Sequence, residues 1–258
     1  MFLAIDVGNT NIVFGVFDGN KLLTHWRIVT SRERTVDEYR LLLKELFALD
    51  GVKVSSVDGV AVSCVVPPVI MPLERACEEL YHKRPVVIGP GTRTGISILY
   101  DNPREVGADR IVNAVAGYDK YKKGIIIVDF GTATTFDCVS RRGEYLGGVI
   151  APGIGISLEA LFTHASKLPR IEIASPPSVI GSNTVNSMQS GIFYGYRALV
   201  EGIIGLITKE MKDDKPVVIA TGGFAELIGN SSPFINEVDE FLTLRGLKII
   251  YENNITKR

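Results

Sequence analysis

The stretch 4-AIDVGNTNIVFGVFDG-19 decides the fold. An apolar run ending at Val7 is interrupted by Gly8, Asn9 and Thr10, and resumes with Ile12, Val13, Phe14 and Val16. Two apolar runs joined by a few small polar residues predict a β-hairpin. The puzzle is its tip. Asp6, at the end of the first strand, brings a carboxylate to a segment that otherwise reads as core.

The same pattern returns 123 positions later, in 127-IVDFGTATTFDCVSRRGEYL-146. Asp6 aligns with Asp129, Gly8 with Gly131, Asn9 with Thr132 and Asn11 with Thr134. Each copy continues to a second turn, 18-DGN-20 and 141-RRG-143, and a further short strand. A repeat at half the chain length predicts two domains of one topology.

The intervening sequence alternates between helix and strand. Val36, Tyr39, Leu43 and Phe47 lie at helical spacing before a stop at Gly51. A strand over 59–66, a helix over 70–83, a strand over 85–89 and a loop over 90–107 lead to a helix over 109–121. In the second half, strands occupy 125–130 and 216–220, a helix follows 152–157, and a long helix runs from about Thr184 to Met211. Such alternation predicts mixed sheets covered by helices. The domain boundary is expected between Gly117 and Gly124, giving domains 1–117 and 118–258.

Composition narrows the class. The 258 residues are 46% hydrophobic and 22% charged, with a formal net charge of −1. Nothing in that balance favours nucleic acid or a membrane surface as partner. No apolar run approaches the roughly 20 residues of a membrane span, and no signal peptide precedes the first strand; a cytoplasmic location is expected. The three cysteines lack CxxC spacing, with Cys64 and Cys138 reading as buried thiols, and the three histidines lack metal-ligand spacing.

A tip of glycine and threonine offers backbone N–H groups and small hydroxyls that can wrap a phosphate. Gly8 and Gly131 permit close approach and positive φ. An aspartate beside a phosphate needs a cation between them, so Asp6 and Asp129 read as ligands for Mg²⁺ or a monovalent cation. The bland alternative is a pair of hairpin turns capped by Asx side chains. Two matched tips favour nucleotide binding, with both facing a shared cleft. A third turn, 216-PVVIATGGFAEL-227, places Gly222 and Gly223 between a strand and a helix. Neither a Rossmann fingerprint nor a Walker motif occurs.

These motifs together resemble one family. In order, 6-DVGNTN-11, 107-GADR-110, 129-DFGTATTFD-137, 147-GGVIAPG-153 and 221-TGG-223 are similar to the type III pantothenate kinases, within the acetate and sugar kinase/Hsp70/actin superfamily. The resemblance runs essentially end to end. It implies two duplicated actin-like (ribonuclease H-like) α/β domains with a cleft between them. It also implies ATP-dependent phosphorylation of pantothenate to 4'-phosphopantothenate, the first step of coenzyme A biosynthesis. Mg²⁺, activation by K⁺ or NH₄⁺, and a homodimer with the substrate site at its interface come with it.

The resemblance also assigns residues. Asp6, Val7, Gly8, Asn9, Thr10, Asn11, Gly131, Thr132, Thr134, Gly222 and Gly223 would contact ATP, with Asp6 reaching Mg²⁺ through phosphate. Asp129 would hold the monovalent cation. Tyr100, Gly107, Ala108, Asp109, Arg110 and Thr184 would contact pantothenate, with Asp109 as catalytic base and Thr184 supplied across the dimer. From the residues alone, Asp109 reads first as an ordinary first-turn acid, and Thr184 as an N-cap. Asn113 and Asp137 carry no assigned role. Another small hydroxylated acceptor, or a nucleotide sensor without turnover, remains open beside the kinase reading, since one fold hosts many functions.

Overall fold

The computed structural model describes residues 1–212 and 215–255. The chain divides into two compact units. The first comprises Met1–Ser97, Asp101–Ala116 and the chain from Leu242 onward; the second comprises Ile98–Tyr100 and Gly117–Phe241.

In the first unit, β1 (Phe2–Val7), β2 (Asn11–Asp18) and β3 (Lys21–Val29) form an antiparallel meander. β4 (Gly59–Cys64) then joins β1 in parallel, and β5 (Val86–Val87) joins β4, giving the order β3-β2-β1-β4-β5. Leu3, Ile5, Val7, Ile12, Phe14, Val16, Val60 and Val62 alternate onto one face, as strand periodicity requires. Two helices cover them. α1 (Val36–Leu49) presents the stripe Tyr39, Leu43 and Phe47, and α2 (Pro67–Tyr81) presents Val69, Leu73, Ala76 and Cys77. The charged run before α1 ends in a capping box. Thr35 Oγ1 accepts from the Glu38 N–H, and the Glu38 carboxylate accepts from the Thr35 N–H, a device worth about 1 kcal/mol.

The second unit repeats the plan. β7 (Ile125–Phe130), β8 (Ala133–Val139) and β9 (Glu144–Pro152) form the meander. β10 (Val217–Gly222) joins β7 in parallel and β11 (Glu237–Val238) joins β10. The full order is β11-β10-β7-β8-β9-β6, where the edge strand β6 (Ser97–Ile98) is the one addition. Ile126, Val128, Phe130, Phe136, Cys138, Val218 and Ala220 face α5 (Thr184–Met211), which contributes Phe193, Tyr196, Val200 and Ile204. α4 (Ile154–His164) follows β9.

The repeat is exact to the residue in the first strand and slips by one at the turn. β1 and β7 share one burial pattern, with Asp6 and Asp129 each the fifth residue and each half-buried. Val7 pairs with Ile12, but Phe130 pairs with Thr134. Each meander also shifts register at the corresponding place, Val16/Phe17 and Cys138/Val139, 122 positions apart. The second turn is therefore one residue shorter. Asn11 corresponds to Ala133, and Thr134 corresponds to the core residue Ile12, correcting the sequence alignment at this point.

A second correction concerns the C-terminus. The sequence expectation put 118–258 in one domain, yet α6 (Leu242–Ile255) packs on β1 and β4 of the first unit. The reason lies in the small residues of that sheet face. A Cβ at Gly15 would sit 2.6 Å from Leu244 Cδ1, and one at Gly59 would overlap the Tyr251 ring. Tyr251 also stacks at 4.8 Å on Phe2. Cys138 is buried as expected, Cys64 is only half-buried, and burial pushes the Cys77 thiol up to about 12.

Thr134 is fully buried on the apolar face, and its hydroxyl has no hydrogen-bond partner among the described residues. An unsatisfied buried hydroxyl costs about 1–3 kcal/mol. Thr134→Val, which keeps the shape, is expected to raise stability by about 1 kcal/mol or more without weakening nucleotide binding. Urea unfolding and a nucleotide titration check this; a loss of either would place the hydroxyl in use.

Candidate active site

The two tips close by the same kind of bond. The Gly8 N–H donates to the Asn11 carbonyl at 3.0 Å, and the Gly131 N–H donates to the Ala133 carbonyl at 3.1 Å. Neither glycine has positive φ, so that expectation is corrected; of the tip glycines, only Gly222 lies in the left-handed region, at φ +91°. A Cβ at Gly131 would meet nothing closer than 3.5 Å. Its own fold thus leaves room for a side chain there. What the missing Cβ provides is a bare backbone on the exposed side, where a ligand can approach.

In the first unit, Asn9 and Thr10 are exposed, Asn11 is half-buried, and the Val7 side chain is in the core. Val7 can serve a ligand only through its backbone. Asp6 lies in register with Val13 on one side and Ser63 on the other. The Ser63 hydroxyl is fully buried without a hydrogen-bond partner among the described residues. Thr30, which sequence reasoning passed over, fastens this tip. Its hydroxyl donates to the Gly8 carbonyl at 2.7 Å and its N–H to the Thr10 carbonyl at 3.0 Å. The available signal was register: Val29 pairs with Asn11, which puts Thr30 beside Thr10.

In the second unit, Thr132 is exposed and Asp129 half-buried. Gly222 is packed so closely that a Cβ would stand 2.5 Å from Asp129 Oδ1. Gly223 follows on the exposed side of the same turn. The start of α4 braces the tip from behind, since a Cβ at Gly153 would overlap the Thr132 carbonyl. Tyr196 OH holds that start in place through the Pro152 and Gly153 carbonyls, at 3.0 and 3.1 Å. Thr134 belongs to the interior and does not reach the tip, because the turn is one residue shorter than the sequence alignment assumed.

Asp109 stands in the first turn of α3 (Ala108–Tyr121), whose opening N–H groups have no helical acceptor. Its Oδ1 accepts the Arg110 N–H at 2.8 Å. Gly107 leaves space for this carboxylate, as a Cβ there would lie 2.5 Å from the same oxygen. Burial raises the Asp109 carboxyl above the ordinary aspartate range, and the Arg110 N–H and guanidinium only partly offset it. Arg110 is itself buried and Ala108 half-buried.

Tyr100 belongs to the second unit, packed against Tyr145 at 6.4 Å and beside Gly147. Thr184 is the first residue of α5, but the cap is Asn183, whose side chain accepts the Asn186 N–H at 2.9 Å. The Thr184 hydroxyl is therefore exposed and not spent on capping. It lines a mainly apolar hollow of about 710 Å³ with Leu161, Leu168, Ser182, Met188 and Ile192. Among the described residues, no group of three or more His, Cys, Asp or Glu could hold a metal ion.

Twin β-sheets of one topology, each with an aspartate near the end of its first strand and a glycine tip beyond it, define the actin-like fold. The ROK family glucokinase of Streptomyces griseus, solved with glucose and AMPPNP, shares this fold with a TM-score of 0.53 at 13% identity, over 98% of this chain and 99% of that one. The type III pantothenate kinase family model matches residues 2–205, and the chain belongs to that family. Curated relatives agree. It is 61% identical to the type III pantothenate kinase of Pelobacter propionicus over 98% of this chain and 100% of the relative. It is 58% identical to that of Myxococcus xanthus, over 98% and 99% respectively.

The raised carboxyl has a measurable consequence. A folded-state pKa above the unfolded value of about 3.9 means that the native state keeps a proton the unfolded chain has released. The stabilisation from this group is complete below the unfolded pKa and is lost as pH rises through the folded pKa. Carbon-13 titration of the Asp109 carboxyl is expected to give a midpoint above that of an exposed aspartate. A midpoint at or below about 3.9 would contradict the burial argument.

Proposed function

We propose that the chain transfers the γ-phosphoryl group of ATP to the primary hydroxyl of pantothenate, with Asp109 as the general base. The observation that carries the reading is Asp109 itself: a half-buried carboxylate of raised basicity, in the GADR segment of a chain belonging to this family. A hydroxyl becomes a useful nucleophile when a carboxylate accepts its proton as the phosphoryl group arrives. A raised pKa strengthens that acceptance near neutral pH. Arg110 takes the carboxylate of pantothenate, for which a guanidinium fork is suited. Tyr100, Gly107, Ala108 and Thr184 complete the acceptor contacts.

Backbone N–H groups of Asn9, Thr10 and Thr132 take ATP phosphate oxygens, which approach over the bare backbone of Gly8 and Gly131, whose own N–H groups close the tips, and Gly222 and Gly223 admit the nucleotide closely. Asp6, with the buried Ser63 hydroxyl in register beside it, suits a Mg²⁺ ion reached through phosphate. That ion supplies neutralisation of the charge that develops on the phosphoryl oxygens. Asp129 suits a K⁺ or NH₄⁺ ion. The location is cytoplasmic; among the described residues no helix is long and apolar enough to cross a membrane.

The active unit in this reading is a homodimer, in which Thr184 is lent to the partner's substrate site. Gly191, Gly195 and Gly202 lie exposed along one side of α5, and a Cβ at any of them, or at Gly205, would meet nothing within 4 Å. A bare helix face of this kind permits close approach of a second helix. Sedimentation as a fully active monomer would sink this part of the proposal.

An ADP-release assay against pantothenate, sugars and small hydroxy acids tests the substrate. Turnover is expected with pantothenate and to be faster in K⁺ or NH₄⁺ than in Na⁺ salts at matched ionic strength. Turnover of another acceptor alone would overturn the substrate, and equal rates in the three salts would remove the cation role of Asp129.

Asp109→Asn tests the base. The substitution keeps size and removes the proton acceptor, so turnover is expected to fall by about 10²–10⁴-fold with ATP affinity nearly unchanged. A folded variant with more than about a tenth of wild-type turnover would deny Asp109 the base role.

A further inference from the structure

α3 carries Asp109, and two contacts on its first two turns come from α6. Asn113 lies one helical turn beyond Asp109, at the i+4 spacing that shares a helix face. It is almost fully buried, and its side-chain oxygen accepts the Thr243 hydroxyl at 2.7 Å, across 130 residues of sequence. One turn further along α6, Gly246 meets Val112. A Cβ at Gly246 would overlap the Val112 carbonyl and stand 2.7 Å from Val112 Cγ1. The two helices therefore meet backbone to backbone.

The other side of α6 is tied to the sheet that bears the first phosphate tip. Leu244 fills the space left by Gly15, Tyr251 stacks on Phe2, and Lys248 Nζ donates to Asn20 Oδ1 at 2.9 Å. All these residues belong to the first unit. α6 thus connects two parts of the chemistry: the strand that carries Asp6, and the helix turn holding Asp109. A rigid reference between them matters because a displacement of about 1 Å at a reacting group can cost on the order of 10²-fold in rate.

We propose that Thr243 and Gly246 are positioning residues for phosphoryl transfer, fixing through Asn113 and Val112 the placement of Asp109 relative to the first phosphate tip. The inference rests on the reading of Asp109 as the base. It assigns the C-terminal helix a role in catalysis without contact to either substrate. It also gives Asn113 a purpose: its amide is the receptor that registers α6 on α3.

The test is steady-state kinetics of the full-length protein with Thr243→Val, Thr243→Ser and Gly246→Ala. Valine keeps the volume and removes the hydrogen bond, and serine keeps the hydrogen bond. Thr243→Val and Gly246→Ala are each expected to lower kcat by about tenfold or more, with KM for ATP held within about twofold. Thr243→Ser is expected to retain wild-type kcat. If Thr243→Val melts more than about 10 °C lower, Thr243→Ala assayed well below its own Tm replaces it under the same criteria. A folded variant lacking the hydroxyl but keeping wild-type kcat overturns the proposal. So does a Thr243→Ser loss equal to that of valine, which would make the contact one of packing alone. Full activity of Asp109→Asn would instead overturn the base assignment, whatever the Thr243 variants do.

Discussion

The structure depends on a small backbone constraint, made twice. A glycine N–H at the end of a strand donates to a carbonyl at the start of the next, at Gly8 and again at Gly131. Each bond closes a hairpin whose first strand lies at the middle of its sheet, antiparallel to one neighbour and parallel to another. The closure fixes which residue ends the strand and which starts the turn. It therefore fixes that an aspartate, half-buried and facing away from the apolar core, stands just before a bare backbone. A strand alternates its faces with period two. A shift of one residue would turn Asp6 or Asp129 into the hydrophobic face, where an unpaired carboxylate would cost several kcal/mol.

The duplication holds in the central strands and differs in the turns that the two bonds close. The central strands retain one burial pattern, and the register shift in each meander falls at the same structural place. The turns differ by a residue, and the bracing differs as well. Thr30 fastens the first tip from the end of β3, whereas Gly153 and Tyr196 brace the second from α4 and α5. The first unit covers its core face with two helices and its other face with α6, while the second relies on the long α5. A common sheet has thus acquired two different supports around two similar tips.

Asp109 shows how local structure sets chemistry. A carboxylate in the first turn of a helix is ordinarily favoured by nearby N–H groups and the helix dipole, which lower its pKa. Here the Arg110 N–H acts in that sense, and burial acts against it and prevails. Gly107 contributes by occupying no space where the carboxylate lies. The result is a carboxylate held in one place and more basic than an exposed one.

Much of this was legible in the sequence. Apolar periodicity located the hairpins, the stripe of α1 and the long α5. The spacing of Asp6 and Asp129 exposed the duplication, and the ordered motifs pointed to the family. These are properties of neighbours along the chain, where a period of two or 3.6 residues leaves its mark directly. Tertiary structure alone decided three other matters. It moved α6 to the first unit, because the seat at Gly15 and Gly59 is assembled from strands distant in sequence. It put Thr134 in the core, because strand pairing and not sequence alignment counts the residues of a turn. It joined Thr243 to Asn113 and raised the carboxyl of Asp109, because burial and long-range hydrogen bonds exist only once the chain has folded around them.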